Sequence, residues 1–442
     1  MTPKIFVALA LADTFLACEA RLDAMIERAR WALGKKWRWI PSLCRAILKQ
    51  TGAAPHRYRR TELSTLILAH TGFAHAWQQS MPPPQIKHLC LDLPLAAEKP
   101  AWVTALLLPV LATTTDLAQW LNVSPSELDW FADKWRNNLP SPSGLQHYHY
   151  RWVEKKTGGL RLIEIPKSRL RTMQSHILHH LLDRVPLHQA AHGFRRGHSC
   201  VRHARLHIGQ GVVIRMDLKN FFSSISMARI HALFSTLGYS ARVASILSRL
   251  CTHRTPSGIL YDRQAASIVP WQERLVLRTA HLPQGSPCSP ALANLCAYRL
   301  DKRLEALAIS CNARYSRYAD DLTFSGGKEL EKMMNSFHVH VAMIALDEGF
   351  SVNTRKTRMM RRGVRQQVTG IVVNDHPNIR RDDFDNLKAT LTNCIRHGPT
   401  SQNREGRDQY QQFLAGKIAY VEMIHAQRGQ RLRELFKKII WC

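Results

Sequence analysis

Residues 314–326 read RYSRYADDLTFSG. Two adjacent carboxylates, Asp320 and Asp321, stand between runs rich in Tyr, Thr and Phe, which favour strands. Adjacent acids repel each other, and Asp is a poor strand former. Taken alone, the simplest interpretation is a turn, because Asp is common in turns. The pattern predicts a β-hairpin over residues 315–325 with the two acids at its tip.

The chain is strongly basic. It has 442 residues, 45% of them hydrophobic, and a formal net charge of +29. This length suffices for two or three folded domains. Such a charge is usually neutralised by a polyanion, so nucleic acid is the leading partner and an anionic membrane surface the second. Positive charge that serves only solubility is the remaining alternative.

Several features indicate a cytoplasmic protein without a membrane segment. No apolar run reaches the ~18 residues that span a bilayer. Asp13 interrupts the N-terminal apolar run, which predicts an amphipathic helix rather than a signal peptide. The ten cysteines are scattered without a Cys-x-x-Cys pair, which favours reduced thiols over disulfides or a zinc site.

Proline-rich stretches at 81–85 and 139–144 divide the chain. Before the second stretch the sequence is mostly helix-patterned, with a capping box that begins at Ser124. From Pro377 onward it is helical again, with 12 Lys or Arg against 7 Asp or Glu. The domains predicted from these changes are 1–138, 139–375 and 376–442.

The middle segment mixes strands and helices. Alternation around a Gly-Gly pair predicts a hairpin over 147–166, and helical spacing follows over 165–185. Residues 211–217 read as a buried strand, and 290–308 as a helix. This order indicates an α+β core rather than a regular parallel β/α array.

Acidic residues end two of the predicted strands. Asp217 closes the Val/Ile strand, and Asp320 with Asp321 occupies the hairpin tip. If the strands are neighbours, the three carboxylates repel one another unless they share a divalent cation. Oxygen ligands favour Mg²⁺, and two such ions clamp both oxygens of an in-line phosphoryl displacement. The pattern therefore predicts nucleotidyl transfer.

Six ordered blocks over about residues 148–375 resemble the reverse transcriptases. They are KKTGGLRLIEIPKSRLRTMQ, AAHGFRRGHSC, VVIRMDLKNFF, LPQGSPCSPALANL, YADD, and GFSVNTRKTRMM followed by QQVTGIVVN. The resemblance implies an RNA-directed DNA polymerase with the right-hand fold. That fold has fingers and a palm with an antiparallel sheet over 139–375, a helical thumb over 376–442, and here a helical N-terminal extension over 1–138.

The resemblance also implies roles for single residues. Asp217 and Asp320 would hold two Mg²⁺ ions, for which Mn²⁺ is a possible substitute, and Asp321 would be the third carboxylate. Phe222 matches the family's steric gate, whose ring presses on a 2′-hydroxyl and so favours deoxynucleotides; a core Phe is the alternative. The implied nucleotide-binding residues are Lys156, Arg161, Asn220, Phe221, Phe222, Gln284, Gly285 and Lys356.

Two blocks are similar to those of retron reverse transcriptases. Val368, Thr369 and Gly370 match a Val-Thr-Gly block fully. An Asn-Ala-x-x-His block is matched by His207, but His203 replaces its Asn. These blocks would contact RNA, as would the C-terminal cations Arg428, Arg431, Arg433, Lys437 and Lys438, for which a solvated helix face is the alternative.

A retron-type enzyme would take a structured non-coding RNA as template and primer. Its product would be a small branched RNA–DNA molecule made from deoxynucleoside triphosphates, in antiviral defence and with a possible effector protein encoded nearby. Two alternatives remain open. One is another prokaryotic reverse transcriptase, of diversity-generating, abortive-infection or group II-like type, and the other is a non-catalytic RNA-binding scaffold.

Overall fold

The computed structural model describes residues 2–18, 21–51, 58, 60–90, 101–111, 113–133, 145–155, 158–262 and 267–441. The chain packs as two compact units. One comprises residues 1–185 and 226–262, and the other comprises residues 186–225 and 263–442. No helix among the described residues is both long and apolar enough to cross a membrane.

The first unit begins with helices that share one hydrophobic core. They are α1 (Pro3–Leu16), α2 (Leu22–Leu33), α3 (Ile40–Thr51), α4 (Arg60–Ala69) and α5 (Thr71–Gln79). Leu11, Phe15, Met25 and Phe73 lie at the centre of that core. In α1, buried residues occur in runs of three, which cover more than one face of a helix. The predicted helix is confirmed, but its predicted amphipathic character is wrong because the α-helical bundle encloses it.

A β-hairpin follows three short helices. These helices are α6 (Ala101–Thr104), α7 (Thr114–Trp120) and α8 (Pro125–Phe131). The strands are β1 (Tyr148–Glu154) and β2 (Leu160–Pro166), paired antiparallel along their whole length. Gly158 and Gly159 both have φ of +84°, a conformation that glycine adopts without strain. The hairpin predicted over 147–166 is confirmed.

Ser124 caps α8 as predicted. Its hydroxyl accepts a hydrogen bond from the Glu127 N–H, and the Glu127 carboxylate accepts one from the Ser124 N–H. Pro125 occupies the first helical turn, where it has no N–H to leave unpaired. This reciprocal pair satisfies two of the donors that a helix leaves open at its start.

The next helices alternate between the units. α9 (Ser168–His180) belongs to the first unit, and the predicted helix over 165–185 is thereby confirmed in its central part. α10 (Cys200–Arg205) and β3 (Val212–Asp217) belong to the second unit. The chain returns to the first unit with α11 (Met227–Thr236), α12 (Ala241–Cys251) and α13 (Ser257–Leu260).

A four-stranded antiparallel sheet organises the second unit. Its strands are β4 (Ala313–Tyr318), β5 (Asp321–Gly326), the central β3 and β6 (Arg358–Arg361), in the order β4-β5-β3-β6. The helices of this part are α14 (Trp271–Leu277), α15 (Ser289–Cys296), α16 (Tyr298–Ser310) and α17 (Lys328–Asp347). Val212, Val213 and Ile214 are fully buried, as expected for a central strand.

The single helix predicted over 290–308 is wrong. It breaks at Ala297, which ends α15 and begins α16. The break has a packing reason, because Asn294 on α15 and Asp301 on α16 both bind the same guanidinium, that of Arg317. The predicted hairpin over 315–325 and the predicted strand before Asp217 are both confirmed.

The C-terminal part is helical after a small hairpin. Its elements are β7 (Gln367–Val368), β8 (Ile371–Val372), α18 (Arg381–His397), α19 (Tyr410–Ile424) and α20 (Ala426–Lys437). Short 3-10 turns cover Leu182–Arg184, Thr354–Lys356 and Pro399–Gln402. Leu391, Ile418 and Leu432 join a core that also includes Val368 and Ile371.

The fold is a mixture of helices and antiparallel sheets, which agrees with the predicted α+β class. The domain division at residues 138 and 375 stays a prediction. Its first boundary, like the proline-rich stretch at 139–144, lies outside the described residues.

Replacing Ser124 by Ala is expected to destabilise the protein by about 1 kcal/mol, because the Glu127 N–H loses its acceptor. The change is measured as the free energy of unfolding in urea. Ser126→Ala is the matched control, since Ser126 lies in the same first turn but its hydroxyl accepts no hydrogen bond from the Glu127 N–H. Equal losses in both variants would contradict the capping role.

Candidate active site in the second unit

Three carboxylates meet at one end of the central strands. The register pairs Asp217, the last residue of β3, with Asp321, the first residue of β5. The Leu218 N–H donates to the Asp320 carbonyl at 2.9 Å, so Asp320 also lies beside the end of β3. The structure therefore brings together the three acids that the sequence predicted as a group.

The turn that carries Asp320 is tightly packed. Ala319 has φ of +58°, a left-handed conformation that L-residues rarely adopt. Gly193 lies directly against it, and a Cβ atom built on Gly193 would be 2.5 Å from the Ala319 nitrogen. Only glycine permits this approach, so Gly193 helps fix the position of the two acids.

A fully buried ion pair supports the turn from below. The Arg317 guanidinium donates to both carboxylate oxygens of Asp301, at 2.7 Å each. It also donates to the Asn294 side chain at 2.9 Å and to the Ala319 carbonyl at 3.0 Å. Burial alone would lower the pKa of Arg317, but the Asp301 carboxylate raises it, so the guanidinium stays charged.

The charges around the acids are partly balanced. Burial raises the pKa of Asp321 to about 6, and the neighbouring Asp320 and Asp217 add to that rise. Arg215, whose Nε lies 3.6 Å from an Asp321 oxygen, and Lys356 oppose it. The three carboxylates thus form a site that favours binding of further positive charge.

Lys356 is the cation closest to Asp217. Its Nζ atom lies 2.9 Å and 3.1 Å from the two carboxylate oxygens of Asp217. Asn353 adds a backbone N–H bond to the Asp217 carbonyl at 2.7 Å. The sequence predicted that Lys356 binds nucleotide, and the structure places it within reach of the predicted metal ligands.

The acids fit a divalent metal ion by their chemistry. All are hard oxygen donors, and their mutual repulsion raises a pKa that a bound cation would lower. Within the described part of the chain, no three His, Cys, Asp or Glu side chains are arranged to hold an ion. Metal binding therefore requires the side chains to move, and Lys356 must release Asp217.

The segment after β3 presents two of the predicted nucleotide-binding residues to solvent. Asn220 is exposed with φ of +49°, and Phe222 is half-buried. Phe221 is buried against Phe350, so only its backbone is available to a nucleotide. The Phe222 ring lies 5.8 Å from that of Phe194, which has φ of +59° and is 49% exposed.

The remaining predicted nucleotide-binding residues occupy loops and an outer strand. Gln284 and Gly285 lie in the loop before α15, where Gly285 has φ of +133°, a value suited to glycine. Arg161 is exposed on β2, in the first unit. Lys156 lies outside the described residues.

The predicted RNA contacts of His203 and His207 need correction. Both side chains are fully buried, and His207 bonds Ser325 at 2.7 Å and Ser316 at 2.6 Å. Burial lowers the pKa of His203 to about 2 and that of His207 to about 3. A neutral, enclosed imidazole cannot bind a phosphate, so these residues pack α10 against the sheet instead.

The Val-Thr-Gly block divides in the same way. Val368 is fully buried in the core, so its side chain cannot contact RNA. Thr369 and Gly370 form the turn between β7 and β8, with φ of +48° and +86°. The Thr369 hydroxyl donates to the Cys200 carbonyl at 3.3 Å, which ties this turn to α10.

The C-terminal cations differ in their availability. Arg431, Lys437 and Lys438 are exposed. Arg433 is paired with Glu422, and Arg428 donates to Asn378 at 3.0 Å and stacks on Phe384. Three of the five predicted RNA-binding cations are therefore on the surface without such partners among the described residues.

Sequence reasoning missed the residues that hold the acids in place. Gly193 and Phe194 stand in the quoted block AAHGFRRGHSC, and an aromatic residue after a glycine was a usable signal. Arg215 is an arginine within an otherwise apolar strand, which is unusual enough to single out. The pairing of Arg317 with Asp301 had no signal, since 16 positions separate them.

Comparison with known proteins agrees with this geometry. The profile of the family described as reverse transcriptase (RNA-dependent DNA polymerase) matches residues 153–387, more than half of the chain. The chain is 37% identical to the retron Mx65 reverse transcriptase of Myxococcus xanthus over 333 residues, which are 74% of this chain and 71% of that protein.

Two other relatives extend the comparison. The retron Mx162 reverse transcriptase of Myxococcus xanthus is 34% identical over 328 residues, covering 71% of this chain and 64% of that protein. The retron Ec86 reverse transcriptase of Escherichia coli is 29% identical over 295 residues, covering 66% of this chain and 81% of that protein.

Replacing Asp301 by Ala is expected to destabilise the protein by about 3–5 kcal/mol, because the Arg317 charge would remain buried without its partner. The free energy of unfolding in urea is the measurement. Glu305→Ala is the matched control, since Glu305 lies one turn further along α16 and its side chain is 42% exposed. A loss below 1 kcal/mol for Asp301→Ala would contradict the supporting role.

Proposed function

The chain belongs to the reverse transcriptase family and is an RNA-directed DNA polymerase, and from this premise we propose that it is of retron type. It copies a cognate structured non-coding RNA, which also primes synthesis, into a small branched RNA-linked DNA. The retron reverse transcriptases among its relatives and the intact Val368-Thr369-Gly370 block support this proposal.

The proposed architecture is the right hand of the family. The β1–β2 hairpin belongs to the fingers, the sheet β4-β5-β3-β6 forms the palm, and α18, α19 and α20 form the thumb. The three acids at one end of the sheet are the observation that carries the proposal, because a scaffold protein would have no reason to keep mutually repelling carboxylates there.

Asp217 and Asp320 are the proposed ligands of two Mg²⁺ ions, with Mn²⁺ as a substitute, and Asp321 supports them. The ions would supply charge to the attacking and leaving oxygens of nucleotidyl transfer. Arg215 restrains Asp321 from one side. Lys356, released from Asp217, lies where its ammonium can neutralise the leaving pyrophosphate.

The proposed nucleotide contacts follow the chain after β3. The exposed backbone at Asn220 and Phe221 receives phosphate oxygens, and Phe222 limits the space beside the sugar. Gln284 and Gly285 lie beside the new base pair, where glycine allows close approach of the backbone. Arg161 and Lys156 bind the triphosphate from the fingers.

The proposed RNA-binding surface of the thumb is narrower than the sequence suggested. Arg431, Lys437 and Lys438 are exposed, and they contact phosphates. Such contacts supply affinity that falls steeply with salt. The enzyme works in the cytoplasm, in antiviral defence, with an effector protein encoded nearby. None of the cysteines in the described part forms a disulfide, which suits that compartment.

Expression of the protein with its flanking genomic DNA is expected to yield a small branched DNA. Asp320→Asn abolishes this product because a catalytic carboxylate is lost, while folding and RNA binding persist. The readout is the labelled DNA on a denaturing gel before and after debranching. Glu329→Gln is the matched control, an exposed acid just after β5. Primer extension without any branched product would favour another prokaryotic reverse transcriptase, and unchanged yield from Asp320→Asn would refute the site.

Replacing Phe222 by Ala is expected to admit ribonucleotides, because the ring that crowds the 2′-hydroxyl is removed. The ratio of deoxynucleotide to ribonucleotide incorporation should fall by roughly ten-fold or more, the loss of about 1.4 kcal/mol of discrimination. Phe194→Ala serves as the comparison, since Phe194 contacts Phe222 without occupying the gate position. Undiminished sugar discrimination in Phe222→Ala would exclude the gate.

A further inference from the structure

A basic cleft lies in the first unit, outside the residues that match the polymerase family. It is formed by the segment between α2 and α3, residues 34–39, and by the first turns of α5. Its volume is about 620 Å³. The segment reads GKKWRW, in which cations alternate with tryptophans.

The cleft carries positive charge without a counter-charge. Lys35, Lys36 and Arg38 are exposed, and none of them forms an ion pair within the part of the chain that the structure describes. No Asp or Glu is among its described lining residues. Residues 1–90 as a whole hold 13 Lys or Arg against 5 Asp or Glu. An anion is therefore the ligand that this cleft attracts.

Two tryptophans form a wall of the cleft. Trp37 is half-buried, Trp39 is 8% exposed, and their ring centroids are 6.1 Å apart. The Lys35 ammonium lies 4.1 Å from the centroid of the Trp37 ring. Both indole N–H groups are buried and have no acceptor among the described residues. A buried donor without an acceptor is unusual and indicates an additional partner.

The first turn of α5 adds further donors. His70 precedes this helix and caps it with no side-chain hydrogen bond. Thr71 and Gly72 line the cleft, so the open N–H groups of the helix start face it. Trp39 packs edge-on against Phe73 of the same helix at 5.4 Å, which fixes the two sides of the cleft together.

We propose that this cleft binds single-stranded RNA. Its cations and N–H donors suit phosphates, and its aromatic rings suit unstacked bases, which is the combination found in sequence-tolerant single-strand binding sites. A duplex would bury the base faces that the tryptophans need. Because the enzyme copies RNA, this second site would hold an unpaired part of the RNA on the N-terminal helices and raise its effective concentration for the polymerase.

Binding of a fluorescein-labelled 20-nucleotide oligouridine tests the charges. The full-length protein is titrated by anisotropy at several salt concentrations, without metal or deoxynucleotides. The triple variant Lys35→Ala, Lys36→Ala, Arg38→Ala should bind more weakly, and the slope of log affinity against log salt should fall by about 2, from about 0.7 per lost phosphate contact. The control triple Arg30→Ala, Arg45→Ala, Lys49→Ala removes the same charge from exposed positions outside the cleft.

Photocrosslinking tests the tryptophans independently of folding changes in a variant. A 5-iodouridine version of the same RNA is irradiated with the wild-type protein, and the crosslinked peptides are identified by mass spectrometry. A crosslink at Trp37 is expected, and it should persist in Asp320→Asn, whose change lies in the other unit.

Three outcomes would overturn the proposal. Equal loss of affinity and of salt slope in both triples would show that the cleft has no special role. Crosslinks confined to residues outside 31–80 would show that RNA binds elsewhere. Loss of binding to anionic lipid vesicles by the cleft triple, with RNA binding unchanged, would assign the cleft to a membrane surface.

Discussion

The buried ion pair between Arg317 and Asp301 is the interaction on which the acidic hairpin depends. Two charges are removed from water, which is costly unless every donor and acceptor is satisfied. Here the guanidinium joins α15, α16 and the Ala319 carbonyl, and the Arg317 backbone bonds Ala190 and His192. One side chain thus holds the elements around the turn in a single arrangement, and the positions of Asp320 and Asp321 follow from it.

The acids themselves are placed under electrostatic tension. Their proximity and burial raise the pKa of Asp321 to about 6, and Arg215 and Lys356 relieve only part of the repulsion. The rest of the chain has the opposite imbalance, with a net charge of +29. Both imbalances are reduced by the same ligand class, a polyanion accompanied by divalent cations. The arrangement is therefore prepared for substrate before substrate arrives.

Resemblance of sequence and position in the structure gave different answers for several residues. His203, His207 and Val368 match blocks that suggested RNA contact, yet all three side chains are fully buried. A motif records which residue type stands at a position, but burial depends on what the folded chain places around it. The same holds for the helix over 290–308, whose apolar spacing continues through Ala297 although the backbone turns there to bring Asn294 and Asp301 to one guanidinium.

The sequence alone determined the family, the hairpin and the three acids, because these depend on local patterns: strand alternation, a turn between strands, and carboxylates at strand ends. It also determined the capping box at Ser124, since a cap involves neighbours only. The tertiary structure alone decided the pairing of Arg317 with Asp301, the contact of Gly193 with the turn, and the gathering of Lys35, Trp37 and His75 in one cleft. These features join residues that are distant in the chain, and only packing brings such residues together.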